Sequence, residues 1–157
     1  MTVATRLQTY LDQLGEGYEL IRHPHSHCSM ESAAYAHIPG DNLAKGIVLR
    51  DTQGHLLLVV LPADFHINLK QLGNWLQREV HLVDEEELGS LFPDCALGAI
   101  PPIGPAYALP TIWDRVLGDK ETVFFEAGDH ESLVKVSGRV FHELMAPAER
   151  AHFSRHL

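Results

Sequence analysis

Two apolar runs joined by a short polar turn constrain the fold of this chain most. Ala44–Arg50 carries Ile47-Val48-Leu49, and His55–Leu61 carries an unbroken apolar stretch from Leu56 to Leu61. Between them stands Asp51-Thr52-Gln53-Gly54, a hairpin turn with its glycine in place. The second run is apolar on both faces, so it predicts a strand in the middle of a sheet.

The rest of the chain alternates helical and strand patterns. Leu7, Tyr10, Leu11 and Leu14 follow helical spacing and predict an amphipathic helix over 3–14, ended by Gly15 and Gly17. Tyr18–Arg22 reads as a short strand, and Ser29 as the cap of a helix over Met30–His37 that stops before Pro39-Gly40. Asn68 opens another helix, with Gln71 three residues on and Leu69, Leu72, Trp75 and Leu76 as its inner face. Asp84 and Glu87 repeat that cap pattern for a short helix ending near Phe92-Pro93. Thr111–Val116, Thr122–Glu126 and Leu133–Ser137 read as strands, and Ala148–His156 as a closing helix with Pro147 at its first turn. No repeat, low-complexity tract or linker interrupts the pattern. The expectation is an α+β, or mixed α/β, single domain over 1–157, with a mainly antiparallel or mixed sheet and helices packed around it.

Composition narrows the function classes. At 157 residues and 45% hydrophobic content, the chain can bury a sizeable core. No apolar run approaches the roughly 20 residues that span a bilayer, and Met1–Leu7 reads as helix rather than as a leader. Cys28 and Cys95 lack metal-type spacing and read as free thiols in a reducing cytoplasm. A net charge of −9, from 21 acids and 12 bases, argues against broad charge-driven binding of nucleic acid. It leaves room for a partner that offers one end of an RNA.

Gly98-Ala99-Ile100-Pro101-Pro102-Ile103-Gly104 is stiff, apolar and poor in backbone donors. It suits a pocket wall whose remaining N–H groups point at a ligand; the alternative is a tight connection between elements. Lys45, at the mouth of a strand, has an apolar stem and a head able to reach a cleft, where it would bind a phosphate or a carbonyl oxygen. A solvated strand-end lysine is the other reading. Phe124–Glu126 runs into Ala127-Gly128, a small pair that permits close backbone approach, and Asp129-His130 follow with a carboxylate and an imidazole. That segment also reads as a plain turn. His23, His25 and His27 would share one face of an extended strand, but Pro24 interrupts it and no partner motif stands elsewhere. Cys95 has no adjacent base and reads as a structural thiol. Gly-x-Ser-x-Gly, Gly-x-Gly-x-x-Gly and the P-loop pattern are absent.

In order along the chain stand His23-Pro24-His25-Ser26, Glu31-Ser32-Ala33-Ala34, Ala44–Leu49, Val60-Leu61-Pro62-Ala63, Leu91-Phe92-Pro93-Asp94, Gly98–Gly104 and Glu126-Ala127-Gly128. This ordered set resembles the YbaK-type, or prolyl-tRNA-editing, aminoacyl-tRNA deacylase family over nearly the whole chain. The resemblance implies a compact mixed domain, a sheet or partial barrel surrounded by helices. It implies hydrolysis of the ester between a wrong, small amino acid and tRNA, as with Ala or Cys on proline tRNA. It also implies translation fidelity as the role and the acceptor end of aminoacyl-tRNA as the partner. A synthetase is the further partner, DNA and membranes are not partners, and neither metal nor cofactor is required. By similarity Lys45 and His130 are the catalytic residues. Gly98, Ala99, Ile100, Pro101, Pro102, Gly46, Gly128 and Asp129 are the substrate-binding ones, with Ile100 and Ile103 beside the substrate's side chain. Gly46 departs from the polar residue that many active members place after the lysine. A non-catalytic binding module on the same fold, holding a small ligand or docking on a synthetase, is the competing expectation.

Overall fold

The computed structural model describes residues 3–96 and 98–156. Met1, Thr2, Leu97 and Leu157, onto which the single-domain expectation extends, lie outside them.

The predicted hairpin is the centre of the fold. Strands β2 (Leu43–Asp51) and β3 (Leu56–Pro62) pair antiparallel from Ala44 opposite Pro62 to Arg50 opposite Leu56. The turn is held by the Asp51 carboxylate, which accepts from the N–H groups of Gln53 and His55, both at 2.9 Å. Around this pair lie β1 (Glu19–Arg22), β5 (Val80–Leu82), β6 (Thr111–Asp114), β7 (Thr122–Glu126), β8 (Ser132–Ser137) and β9 (Glu149–Ala151). The sheet order is β1-β8-β7-β2-β3-β6-β9, with β5 against the far end of β2. Antiparallel pairs (β1/β8, β7/β8, β2/β3, β2/β5) mix with parallel ones (β2/β7, β3/β6, β6/β9). β3 sits between β2 and β6 and is buried along nearly its whole length, as an apolar run without alternation requires. A separate ribbon pairs β4 (Phe65–Ile67) with β10 (Ser154–His156).

Helices cover the sheet where their apolar stripes dictate. α1 (Thr5–Leu14) buries Leu7 and Leu11 in the main core with Phe125, Val134 and Phe141, and ends on Gly15 in the left-handed conformation. α2 is Ser29–Tyr35. α3 (Leu69–Leu76) starts on Asn68, whose side chain accepts from Gln71 N–H, and α4 (Glu85–Leu91) starts on Asp84, which accepts from Glu87 N–H. α5 (Gly138–Leu144) buries Val140, Phe141 and Leu144.

Three expectations need correction. Ala148–His156 is not a helix: Glu149–Ala151 pairs with β6 and Ser154–His156 with β4, because open sheet edges there supply partners that local propensity does not foresee. The closing helix is instead α5, which ends four residues before Ala148. Ser29 lies inside α2, whose preceding residue Cys28 makes no side-chain cap bond; the Glu31 carboxylate reaches back to His27 N–H at 2.8 Å. Trp75 is not on the inner face of α3 but 55% exposed.

Candidate functional site

The start of β2, which carries Lys45, meets the Gly-Pro loop at a glycine, Gly46. Lys45 lies near the start of β2, and its Nζ donates to the Ala63 carbonyl at 3.0 Å, where β3 has just ended. Burial of the stem lowers the ammonium's pKa, opposed by the nearby Asp64 carboxylate and Cys28. At Gly46 a β-carbon would stand 2.9 Å from Leu58 Cδ1 and 3.3 Å from Pro102 Cα. The missing side chain is therefore what lets the loop lie on the Gly46 face of β2, one residue along the strand from Lys45, whose own side chain leaves toward the other face. In that loop Ala99, Pro101 and Pro102 are buried, and Ile100 is half-buried. Ala99 N–H donates to the Ala96 carbonyl at 3.1 Å, so it is spent within the turn. Among the described residues, the N–H groups of Gly98 and Ile100 are the ones this span leaves unbonded. Ile103 is fully buried in the core, which corrects its expected place beside a substrate. Ile100 instead lines a cleft of about 180 Å³ with Leu88, Phe92, Cys95, Ala96 and Gly98.

The turn after β7 meets the same loop from the other side. Gly98 has φ +80°, and a β-carbon there would lie 3.2 Å from His130 Nε2 and 3.3 Å from the His27 carbonyl. His130 is itself left-handed, with φ 61°, and 4% exposed. Its carbonyl accepts from Ser26 N–H at 3.0 Å and from Ser26 Oγ at 3.3 Å. Gly128, at φ +121°, accepts from Ala96 N–H at 2.6 Å, and a β-carbon there would be 2.9 Å from Ala4 Cβ. Asp129 is occupied by the turn: its Oδ1 accepts from Glu131 N–H at 2.9 Å and its Oδ2 from Ser132 Oγ at 3.3 Å.

Lys45 with Gly46, Gly98 through Pro102, and Gly128 with His130 are thus joined through direct contacts of β2, the loop and the turn. The segment 23–28 completes the ring. His25 meets His130 edge-on at 5.7 Å between ring centroids and His27 at 5.6 Å. The three alternating histidines do not share a face: His23 turns inward, 8% exposed, with its Nδ1 2.7 Å from the Pro24 carbonyl. Cys95 is a poor nucleophile, its thiol pushed up to about 12, chiefly by burial.

Beneath the ring runs a buried polar chain that spacing alone does not reveal. Ser26 Oγ and Ser32 Oγ are 2.7 Å apart, and Ser32 Oγ donates to Glu126 Oε1 at 2.5 Å. Among the described residues Glu126 Oε2 and His23 Nε2 have no hydrogen-bond partner. Burial raises the Glu126 pKa, and the Ser32 hydroxyl and nearby His23 only partly offset it. In sequence, Glu126 looks like the polar end of an apolar strand; the signal that singles it out is that it precedes Ala127-Gly128.

β2 with its half-buried Lys45, the Gly-Pro loop packed on Gly46 and His130 packed on Gly98 are thus brought to one end of the sheet. The profile of the aminoacyl-tRNA editing domain family matches residues 23–144, and the chain belongs to that family. The match takes in Lys45, the Gly98–Pro102 loop and His130, and stops before β9 and β10. Solved structures share the fold. A hypothetical protein superposes with a TM-score of 0.82 at 22% identity, over 96% of this chain and 99% of that one. A candidate trans-editing enzyme for prolyl-tRNA synthetase gives 0.80 at 21%, over 97% and 96%. A candidate signal transduction protein from Marinobacter aquaeolei VT8 gives 0.77 at 20%, over 95% of this chain but 30% of that one. No curated protein matches the chain. Among the described residues no helix is long and apolar enough to cross a membrane.

Proposed function

We propose that the chain is a trans-acting aminoacyl-tRNA deacylase that needs no metal and clears a small amino acid, such as alanine or cysteine, from proline tRNA in the cytoplasm. The contact of Gly46 with Pro102 carries this reading, because it places the Lys45 strand against a loop with unspent backbone donors. In the reaction, water adds to the ester carbonyl, and the tetrahedral oxyanion then expels the ribose hydroxyl of the terminal adenosine. An aminoacyl ester is already activated, so positioned water and fixed donors are sufficient. The N–H groups of Gly98 and Ile100 serve the oxyanion. Lys45 Nζ leaves the Ala63 carbonyl to hold the carbonyl oxygen or the adenosine end. His130, held across Gly98, faces the substrate's amino group, while Asp129 shapes the turn. Ile100 limits the side chain by size, a discrimination of about 1–3 kcal/mol per methylene. A similar fold belongs to a candidate trans-editing enzyme for prolyl-tRNA synthetase, which supports that tRNA as the carrier.

Release of amino acid from Ala-, Cys-, Ser- and Thr-charged tRNAs tests the reading. Wild type should release the smaller residues, and Lys45→Ala should lose roughly 100-fold or more in rate, the scale of one lost oxyanion donor. Because burial lowers the Lys45 pKa from 10.5, activity should fall as pH rises through a value below the usual lysine range. No release from any charged tRNA, with a small ligand bound at the Lys45 cleft instead, would establish the non-catalytic module.

A further inference from the structure

We propose that the face formed by α3, β4, β9 and β10 is an RNA-docking surface, which grips the acceptor stem while its 3′ end reaches Lys45. This rests on the deacylase reading for its substrate, though not for its binding. The chain carries a net charge of −9, and five of its twelve lysines and arginines are paired with carboxylates. Arg50, Arg78, Lys120, Lys135 and Arg139 pair with Glu87, Asp51, Asp41, Glu19 and Glu16. Arg115, Arg150 and Arg155 are exposed, and among the described residues none has a carboxylate partner. They gather around two adjoining clefts. One, of about 310 Å³, is lined by His66, Trp75, His152 and Arg155; the other, by Arg115, Arg150 and His152. Asp119 lines the second cleft too and leaves the cations in excess.

The geometry suits RNA. Unpaired guanidinium groups match phosphates, and an exposed indole gives an unpaired base a face to stack on. Trp75 is 55% exposed on a helix whose other large apolar residues pack inward. The surface is built rather than loose. Buried Asp114 Oδ2 accepts from Phe153 N–H at 3.0 Å, Ser154 N–H at 2.9 Å and Ser154 Oγ at 2.6 Å, which fixes β10 and sets Arg155 opposite His66. It also adjoins the site. His66 stands three positions after Ala63, the Lys45 acceptor, so the two lie at most about 11 Å apart along the backbone. His156 Nε2, one residue beyond Arg155, lies 2.9 Å from Asp64 Oδ2. Acidic surface elsewhere would repel RNA in other orientations, so a small patch both binds and aligns.

Titration of the full chain with uncharged tRNA, and with an acceptor-stem hairpin ending in CCA, tests this through indole fluorescence at several salt concentrations. The expected result is quenching from Trp75 that Trp75→Phe abolishes, since the other tryptophan, Trp113, is buried. Arg115→Glu with Arg155→Glu should weaken binding at least tenfold and lower the log–log salt slope by about 2, one per lost phosphate contact. Arg150 is left in place because its guanidinium lies over the Trp113 ring. On charged tRNA the double variant should raise KM more than it lowers kcat. Unchanged RNA affinity in the double variant overturns the proposal. So does loss of a synthetase complex with tRNA binding intact, which would make the face a protein-docking surface. RNA binding that follows these residues without any deacylation sustains the surface and removes the deacylase reading instead.

Discussion

Asp114 and Glu126 are both buried carboxylates at the C-terminal ends of strands, β6 and β7, yet their surroundings are opposite. Asp114 Oδ1 accepts from Val116 N–H at 3.0 Å, and its Oδ2 takes three further bonds from Phe153 and Ser154. Burial raises its pKa, but those donors outweigh burial and the net shift is downward. Glu126 has one bond, from Ser32, and its burial wins, so its pKa rises. The saturated carboxylate ties β10 to β6. The half-saturated one lies under the histidine ring. Where the fold needs a carboxylate only as a tie, every lone pair is used; beneath the candidate site one is left over.

The comparison breaks most visibly at Asp114. Asp114→Ala strands several backbone donors and should cost about 3 kcal/mol in urea unfolding, the loss expected when a buried hydrogen-bonded charge is removed. A cost below about 1 kcal/mol would mean that the bond count carries no energetic weight. Glu126→Gln should act in the other direction. It keeps an acceptor for Ser32 and removes the charge, so it should add about 1 kcal/mol near neutral pH, the low end of the penalty for an unsatisfied buried group. The sign follows from the raised pKa. Glu126 contributes stability fully below its ordinary value of 4.5 and loses it as pH rises through the higher folded value. Thermal melts of the variant and wild type should therefore converge in acid and separate as pH rises.

The smallest effect belongs to Asp51. Burial pushes its pKa up, but His55 and Gln53 N–H groups and the Arg78 guanidinium bring it down to about 2. Its contribution is present above its ordinary 3.8 and lost as pH falls through about 2. Asp51→Asn should lower the melting temperature slightly near neutral pH, with the gap closing over that acid range. A gap that persists in acid would assign the effect to lost geometry rather than charge.

What the sequence made legible was local. The Asn68 and Asp84 caps, the Gly15 stop and the Asp51–Gly54 turn each act within a few residues, and each stands where the pattern put it. Distant partners decided the rest. Ala148–His156 has helix-forming residues, yet β6 and β4 offered it edges and Asp114 fixed its bend. Trp75 falls on the apolar stripe of α3, but nothing packs over it. In the candidate site, Lys45 and the Gly-Pro loop announce themselves by chemistry. Gly46 looked like a departure from a polar pattern; its reason, the close approach of Pro102, exists only across the sheet. The serines and Glu126 carry no spacing signal, because they come from α2, the preceding segment and β7, and meet only on folding.

The left-handed backbone at His130 restricts how this pocket can be diversified. Residues branched at the β-carbon strain in that conformation, while asparagine, aspartate and glycine enter it readily. Its neighbour across the gap, Gly98, sits at φ +80°, and a β-carbon there would press on the imidazole at 3.2 Å. A mutant library built on this scaffold to retune selectivity should thus draw position 130 from a short alphabet, with position 98 held as glycine. Randomising both together would populate the library mostly with misfolded loops.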